Sequence, residues 1–368
     1  MKATSKILAA HESRQRMQQQ SGAIKPTAKM LAAREALLDL YADIQQRRLG
    51  KKSTTGMRAA TIALARKHEV LRERLRDSGR YEPLTCVCKI DRVVLTTDSL
   101  SSKAILGIPG YVAHKVMRLW KRDYRFARRI RGTGSVSEIV VEYHRTAAWF
   151  PRYRITVIPQ DKTGLRCDDV RLLLKVLPGA KLKVLEVAWD FPSGCVVDLD
   201  YVRRFGLFGS TWMQPGSNPY HDKWGGVGSK IVRAYIKWGT AKFRIELELH
   251  ARFLQEHGIG SAFDFQKLVS ALVPHHIHFA QLDDGKLAQA IGRSGLRPDI
   301  KPSVLTRVKQ KAQGSLWAAL RYLREEAHLK NTDRLLVPVP DMNRVIREAL
   351  EKLVAQWPVG PAQSKKKP

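Results

Sequence analysis

The chain has 368 residues and carries 65 Lys and Arg against 34 Asp and Glu, a formal net charge of +31. Hydrophobic residues make up 44% of it, which supports a sizeable core and excludes a wholly disordered basic chain. A cationic surplus this large repels itself unless a polyanion offsets it, so the composition points to nucleic acid as the partner.

Residues 1–80 hold 18 Lys and Arg against 7 Asp and Glu, with apolar positions at helical spacing around Leu37, Leu38 and Tyr41 and again around Ile62, Leu64 and Leu71. They read as a basic helical arm. No signal peptide is expected, because the short apolar patch after Lys2 gives way to a polar stretch through Gln20. Residues 85–97 are rich in β-formers and read as a strand. Residues 111–130 read as a helix in which Lys115, Arg118, Lys121, Arg122, Arg125, Arg128 and Arg129 interleave with Trp120, Tyr124 and Phe126. That mixture suits phosphate contact with base stacking; equally, the aromatics can serve the core while the arginines are merely solvated.

Strands are expected at 137–144, 153–159 and 183–191, a short helix at 168–177 and a short element at 202–208. A Gly- and Pro-rich loop spans 214–228, followed by strands 231–238 and 243–250 around a turn at Gly239-Thr240. A helix at 263–273, a strand at 276–282, and helices at 304–330 and 342–357 complete the pattern. The divisions are the arm 1–80, a central domain 85–290, a helical region 300–360 and a disordered basic tail 361–368. Cys86, Cys88, Cys167 and Cys195 match no zinc spacing and read as buried thiols of a reducing compartment. With no apolar run of about 18 residues to cross a bilayer, the expectation is a soluble intracellular protein without a membrane partner.

The strand pair 231–238 and 243–250 carries the densest chemistry. Alternate side chains on a strand face opposite ways, so Arg233, Tyr235 and Lys237 share one face, as do Arg244, Glu246, Glu248 and His250. Pairing through the intervening turn makes the two polar faces coincide. In 183–191, Glu186 and Asp190 share a face, and a carboxylate in so apolar a strand needs a cation beside it. The set suits phosphoryl transfer: a tyrosine made nucleophilic by nearby cations, carboxylates for Mg²⁺ or Mn²⁺, and Arg233, Lys237 and Arg244 to clamp phosphate oxygens. The bland alternative is a wet sheet face on which Lys, Arg and Glu alternate.

Three short motifs in order resemble the replication initiation factor family, the rolling-circle initiators of certain plasmids and filamentous phages. They are Val187-Ala188-Trp189-Asp190-Phe191, then Gly228-Ser229-Lys230 leading into Arg233-Ala234-Tyr235-Ile236-Lys237, then Arg244-Ile245-Glu246-Leu247-Glu248. Residues 152–159 look like the family's early strand, so the similar region runs from about 85 to 290. Ile236 stands where the family often has Asp. The resemblance implies nicking of one origin strand, with Tyr235 as nucleophile, a 5′-phosphotyrosine link and a free 3′-hydroxyl primer. It implies Asp190 and Glu246, then Glu248, as ligands of Mg²⁺ or Mn²⁺, and a host helicase and polymerase as partners in a bacterial or phage-infected cytoplasm. A rival metal pair is His276 and His278, after His275; the related HUH nicking enzymes pair two such histidines with a tyrosine on a later helix, where Tyr322 would fit.

The expected fold is α+β: a central antiparallel sheet, with ferredoxin-like, HUH-related halves, covered by helices and flanked by basic helical ends. The expected function is a metal-dependent DNA-nicking and strand-joining enzyme, in a chain compatible with a homodimer. The alternative is a non-catalytic sequence-specific DNA-binding protein.

Overall fold

The computed structural model describes residues 83–357, apart from breaks at 101, 120–122, 161–163, 178, 193, 209–212, 219–220, 225–229, 237–241 and 274–275. The expected N-terminal arm and basic tail lie outside the described residues, as do the turn at Gly239-Thr240 and Lys237.

Thirteen strands are described: β1 (Val87–Thr97), β2 (Val112–Arg118), β3 (Tyr124–Arg131), β4 (Val136–Arg145), β5 (Tyr153–Pro159), β6 (Lys181–Phe191), β7 (Gly206–Leu207), β8 (Met213–Asn218), β9 (His221–Trp224), β10 (Lys230–Ile236), β11 (Phe243–His250), β12 (His278–Leu282) and β13 (Leu336–Pro338). The α-helices are α1 (Ser102–Leu106), α2 (Cys167–Lys175), α3 (Leu199–Phe205), α4 (Ala251–Glu256), α5 (Leu268–Leu272), α6 (Asp284–Gly292), α7 (Lys301–Gly314), α8 (Leu316–Glu325) and α9 (Pro340–Ala355). The fold is α+β. Ten strands form one antiparallel sheet in the order β2-β3-β4-β5-β1-β6-β11-β10-β9-β8, and β13-β12-β7 form a small second sheet. No helix among the described residues is long and apolar enough to cross a membrane.

Alternation sorts the large sheet into two faces. On one, Val93, Leu95, Ile139, Val141, Ile155, Val157, Leu185, Val187, Trp189, Ile245 and Leu247 are buried in a single core with Val170 and Leu173 of α2 and Met342, Ile346 and Leu350 of α9. Trp189 fixes the last helix there, its indole N–H donating to the Ile346 carbonyl at 3.3 Å. Full burial of side chains of this size contributes about 1.5–3 kcal/mol each. A second core joins Leu287, Val304, Val308, Leu316, Leu320, Leu323 and Leu335 under the small sheet. The region after residue 300 is therefore shared between two cores, with α7 and α8 in the second and α9 in the first.

Several expectations need correction. The described residues of 111–130 form no helix; they lie in β2 and β3, paired antiparallel at the sheet edge. Cations on both faces hid the period of two, and pairing of β3 with β4, which buries Tyr124, Ala127 and Ile130, overrides the helical spacing of the aromatics. The expected loop 214–228 contains the hairpin β8–β9. Pro215 is tolerated because β8 is an edge strand, where a missing donor costs little. The single helix expected at 304–330 is two, broken at Ser315, whose hydroxyl caps α8 by accepting from the Ala318 N–H at 3.3 Å. The strand expected from His276 begins at His278.

Candidate functional site

The second face of the large sheet is polar where β10, β11, β6 and β1 lie side by side. Register places Arg233 opposite Glu246 and Tyr235 opposite Arg244 across β10–β11. It then places Arg244 opposite Asp190, Glu246 opposite Ala188 and Glu248 opposite Glu186 across β11–β6. Directly paired residues share a face, so the structure brings Arg233, Tyr235, Arg244, Glu246, Glu248, Glu186 and Asp190 together, as the alternation predicts. Ala188, in the middle, adds little bulk.

Strand β1 supplies three residues that sequence reasoning missed: Lys89, Asp91 and Arg92. A register shift between Ile90 and Arg92 makes Asp91 an extra residue in the ladder with β6. Ile90 and Val93 are both fully buried in the core, while Asp91 and Arg92 both reach the polar face. The signal was present as the charged pair Asp91-Arg92 inside an apolar strand, which strict alternation cannot place on one side. Gly164, at φ +71°, passes close beside the strand: a Cβ there would lie 2.7 Å from the Lys89 Cβ.

The Tyr235 hydroxyl donates to Glu246 Oε2 at 2.5 Å, and Glu246 Oε1 accepts from Arg233 at 2.7 Å. Arg233 also pairs with Glu248, and Arg92 pairs with Glu186 and, at 3.3 Å, with Glu248. Arg244 grips Asp190 with two bonds, Nε to Oδ1 at 2.6 Å and an η nitrogen to Oδ2 at 3.0 Å, and reaches Asp91 at 2.8 Å. Lys89 adds a 2.6 Å contact to Asp190. His250 meets Glu248 at 2.8 Å.

Charge and burial set the protonation states. Burial pushes Glu186 up to about 8, aided by the Glu246 and Glu248 charges and opposed by Arg92 and Arg233. Asp190 is buried too, but Arg244 and Lys89 hold it below the usual carboxylate range. Glu248 is likewise lowered against its burial, by Arg233 and then Arg92. Burial raises the Tyr235 phenol, the neighbouring Glu246 charge and the bond to it raise it further, and Arg244 opposes only in part. In this arrangement the phenol is a proton donor to a carboxylate.

Oxygens of Asp91, Glu186 and Glu246 lie within 4.8 Å of one another. Three carboxylates so spaced fit a hard divalent cation, whose oxygen ligands sit about 2.1–2.5 Å from the metal. The grouping differs from the expected one. Spacing groups Glu246 with Asp91 and Glu186 rather than with Asp190 and Glu248, and each of the three is itself paired with an arginine, Asp91 with Arg244, Glu186 with Arg92 and Glu246 with Arg233.

The rival histidines do not join it. His276 lies in the turn before β12, with its Nδ1 2.7 Å from the Lys230 ammonium and its ring edge-on to Phe253. Burial lowers Lys230 to about 8. His278 begins β12, paired with Leu207, and His275 lies outside the described residues. Tyr322 is in α8, packed against the second core with Lys311 over its ring at 5.3 Å. The thiols are inert: Cys88, Cys167 and Cys195 are buried and in no disulfide, and burial pushes Cys86 up to about 12.

The expected DNA-binding cations Arg118, Arg125, Arg128 and Arg129 lie on β2 and β3, whereas Lys121 and Arg122 fall outside the described residues. No family model matches the chain, and no curated protein matches it.

Proposed function

We propose that the protein is a rolling-circle replication initiator that nicks one DNA strand with Tyr235. The observation that carries this reading is the 2.5 Å bond from the Tyr235 hydroxyl to Glu246, inside a group of three carboxylates on a strongly basic chain. The resemblance of the three strand motifs to the replication initiation factor family supports the same chemistry. So does the strand order: β5 and β6 flank β1 and β6 and β10 flank β11, which agrees with ferredoxin-like, HUH-related halves.

In the proposed step the Tyr235 oxygen attacks phosphorus and its proton passes to Glu246, which already accepts it as a hydrogen bond. The bond from phosphorus to the 3′ oxygen breaks. The 5′ phosphate stays on Tyr235, and the 3′ oxygen takes a proton from water to become the primer for a host polymerase. A cation held by Asp91, Glu186 and Glu246, Mg²⁺ or Mn²⁺, would supply Lewis acidity at the scissile phosphate and offset the carboxylate charge that retains the phenolic proton. Arg233 holds Glu246 and Glu248 in place, and Arg244 holds Asp190 and Asp91; both act as positioning residues. Lys237 keeps its proposed phosphate contact on the motif alone.

A second reading, a non-catalytic DNA-binding protein, draws on two observations. Arg92, Arg233 and Arg244 are each already paired with carboxylates, and the phenol is raised rather than lowered. The test is a covalent adduct. Incubated with Mn²⁺ and single-stranded or supercoiled DNA of its own replicon, the wild-type chain should form a denaturant-resistant adduct and Tyr235→Phe none. Absence of an adduct from wild type favours the second reading.

A further inference from the structure

The exposed edge of the large sheet is the surface least explained by the Tyr235 site. Strand β2 is the terminal strand, and six of its seven residues are exposed. Its outer edge offers backbone N–H and C=O groups that no strand of the large sheet pairs. With β3 it presents Lys115, Arg118, Arg125, Arg128, Arg129 and Arg131, and neither strand contains an acidic residue. Register sets Lys115 directly opposite Arg129. Like charges facing across a ladder destabilise it, although Glu138 partly offsets Arg129. Lys115, Arg125 and Arg131 are exposed, and so are Val112, at 60% of full exposure, and Val116, at 56%.

A bare edge strand ordinarily pairs with another chain. Here the cations repel a second copy of the same edge, and they attract a polyanion. We infer that β2 and β3, the outer two strands of the sheet, enter the major groove of duplex DNA edge first. That groove, about 12 Å wide, admits a two-stranded ribbon, whereas the deep narrow groove of duplex RNA does not. Exposed Val112, on the face of Lys115, Arg129 and Arg131, suits contact with thymine methyls, and the flanking cations suit phosphates. At about 3.3 Å per residue, the seven residues of β2 span roughly 7 base pairs. The inference rests on the reading of the protein as DNA-binding and not on the nicking chemistry.

The test uses the full chain and duplex DNA from its replicon. Lys115→Gln, Arg125→Gln and Arg131→Gln together should lower duplex affinity on the order of 100-fold at 0.1 M salt and reduce the log–log salt slope by about 2.7. In the wild-type complex, guanine N7 atoms should be protected from methylation over about 7 base pairs, a readout that does not depend on how the variant folds. Measured in EDTA, where the nicking step lacks its cation, duplex affinity reads the edge strands whatever the adduct assay shows. Unchanged affinity in a folded triple variant, protection confined to minor-groove adenine N3, equal binding of duplex RNA, or a homodimer that the triple variant dissolves would each overturn the inference.

Discussion

Glu186 is where burial and charge conflict most openly on the polar face. The acids Asp91, Glu186, Asp190, Glu246 and Glu248 face the cations Lys89, Arg92, Arg233 and Arg244, an excess of one carboxylate. Glu186 relieves the excess by keeping its proton up to about 8. The sign for stability follows from linkage. Between the ordinary carboxylate value of 4.5 and about 8, the folded chain binds more protons here than the unfolded chain, so stability falls as pH rises through that window. The contribution is fully present below the lower value and lost above the upper one. Urea unfolding in EDTA should show Glu186→Gln removing this loss, on the order of a few kcal/mol less the contacts to Arg92 and Arg233. A wild-type stability that is flat or rising between pH 5 and 8, with the variant parallel to it, contradicts the assignment. The site was half legible from sequence at this scale. Strict alternation brought Tyr235, Arg233, Arg244, Glu246, Glu248, Glu186 and Asp190 to one face, because every partner strand there is regular. It could not find the carboxylate set, since that set takes Asp91 from a strand distant in sequence, where Lys89 and Arg92 also lie.

At the scale of the element, the extra residue in β1 is the informative feature. Ile90 already pairs with Val187 and Arg92 with Glu186, so the ladder does not need Asp91. Deleting it leaves Lys89 and Arg92 on the polar face and Ile90 and Val93 in the core, with alternation restored. The deletion variant should therefore fold, with a melting temperature within a few degrees of wild type, yet bind Mn²⁺ at least tenfold more weakly by calorimetry. Unfolding of the variant shows Asp91 to be a structural residue of β1, and undiminished Mn²⁺ affinity removes it from the carboxylate set. Sequence pattern served regular strands well and irregular ones poorly. Strands β4, β5, β6 and β11 were legible because each alternates or is uniformly apolar. Strand β1 was legible as a strand but not in its bulge. Strands β2 and β3 were hidden because an exposed edge with cations on both faces has no period to read.

For the whole molecule, the two cores are tied by the last helix. Asn343 of α9 donates to the Phe279 carbonyl at 2.8 Å and accepts from its N–H at 2.7 Å, clamping α9 to β12. The same helix buries Met342, Ile346 and Leu350 against the large sheet. Truncation after residue 338 should thus destabilise the large sheet as well as the C-terminal region, with loss of the cooperative melt; a truncated chain that melts like wild type contradicts this packing. On the proposed function, the net charge of +31 and the carboxylates on the sheet take separate roles, grip at the basic edge and chemistry at Tyr235. The most direct measurement of the central claim is a peptide map of the denaturant-resistant DNA adduct formed with Mn²⁺. The map should show a nucleotide linked through its 5′ phosphate to Tyr235. A link to Tyr322, or no adduct at all, contradicts that claim.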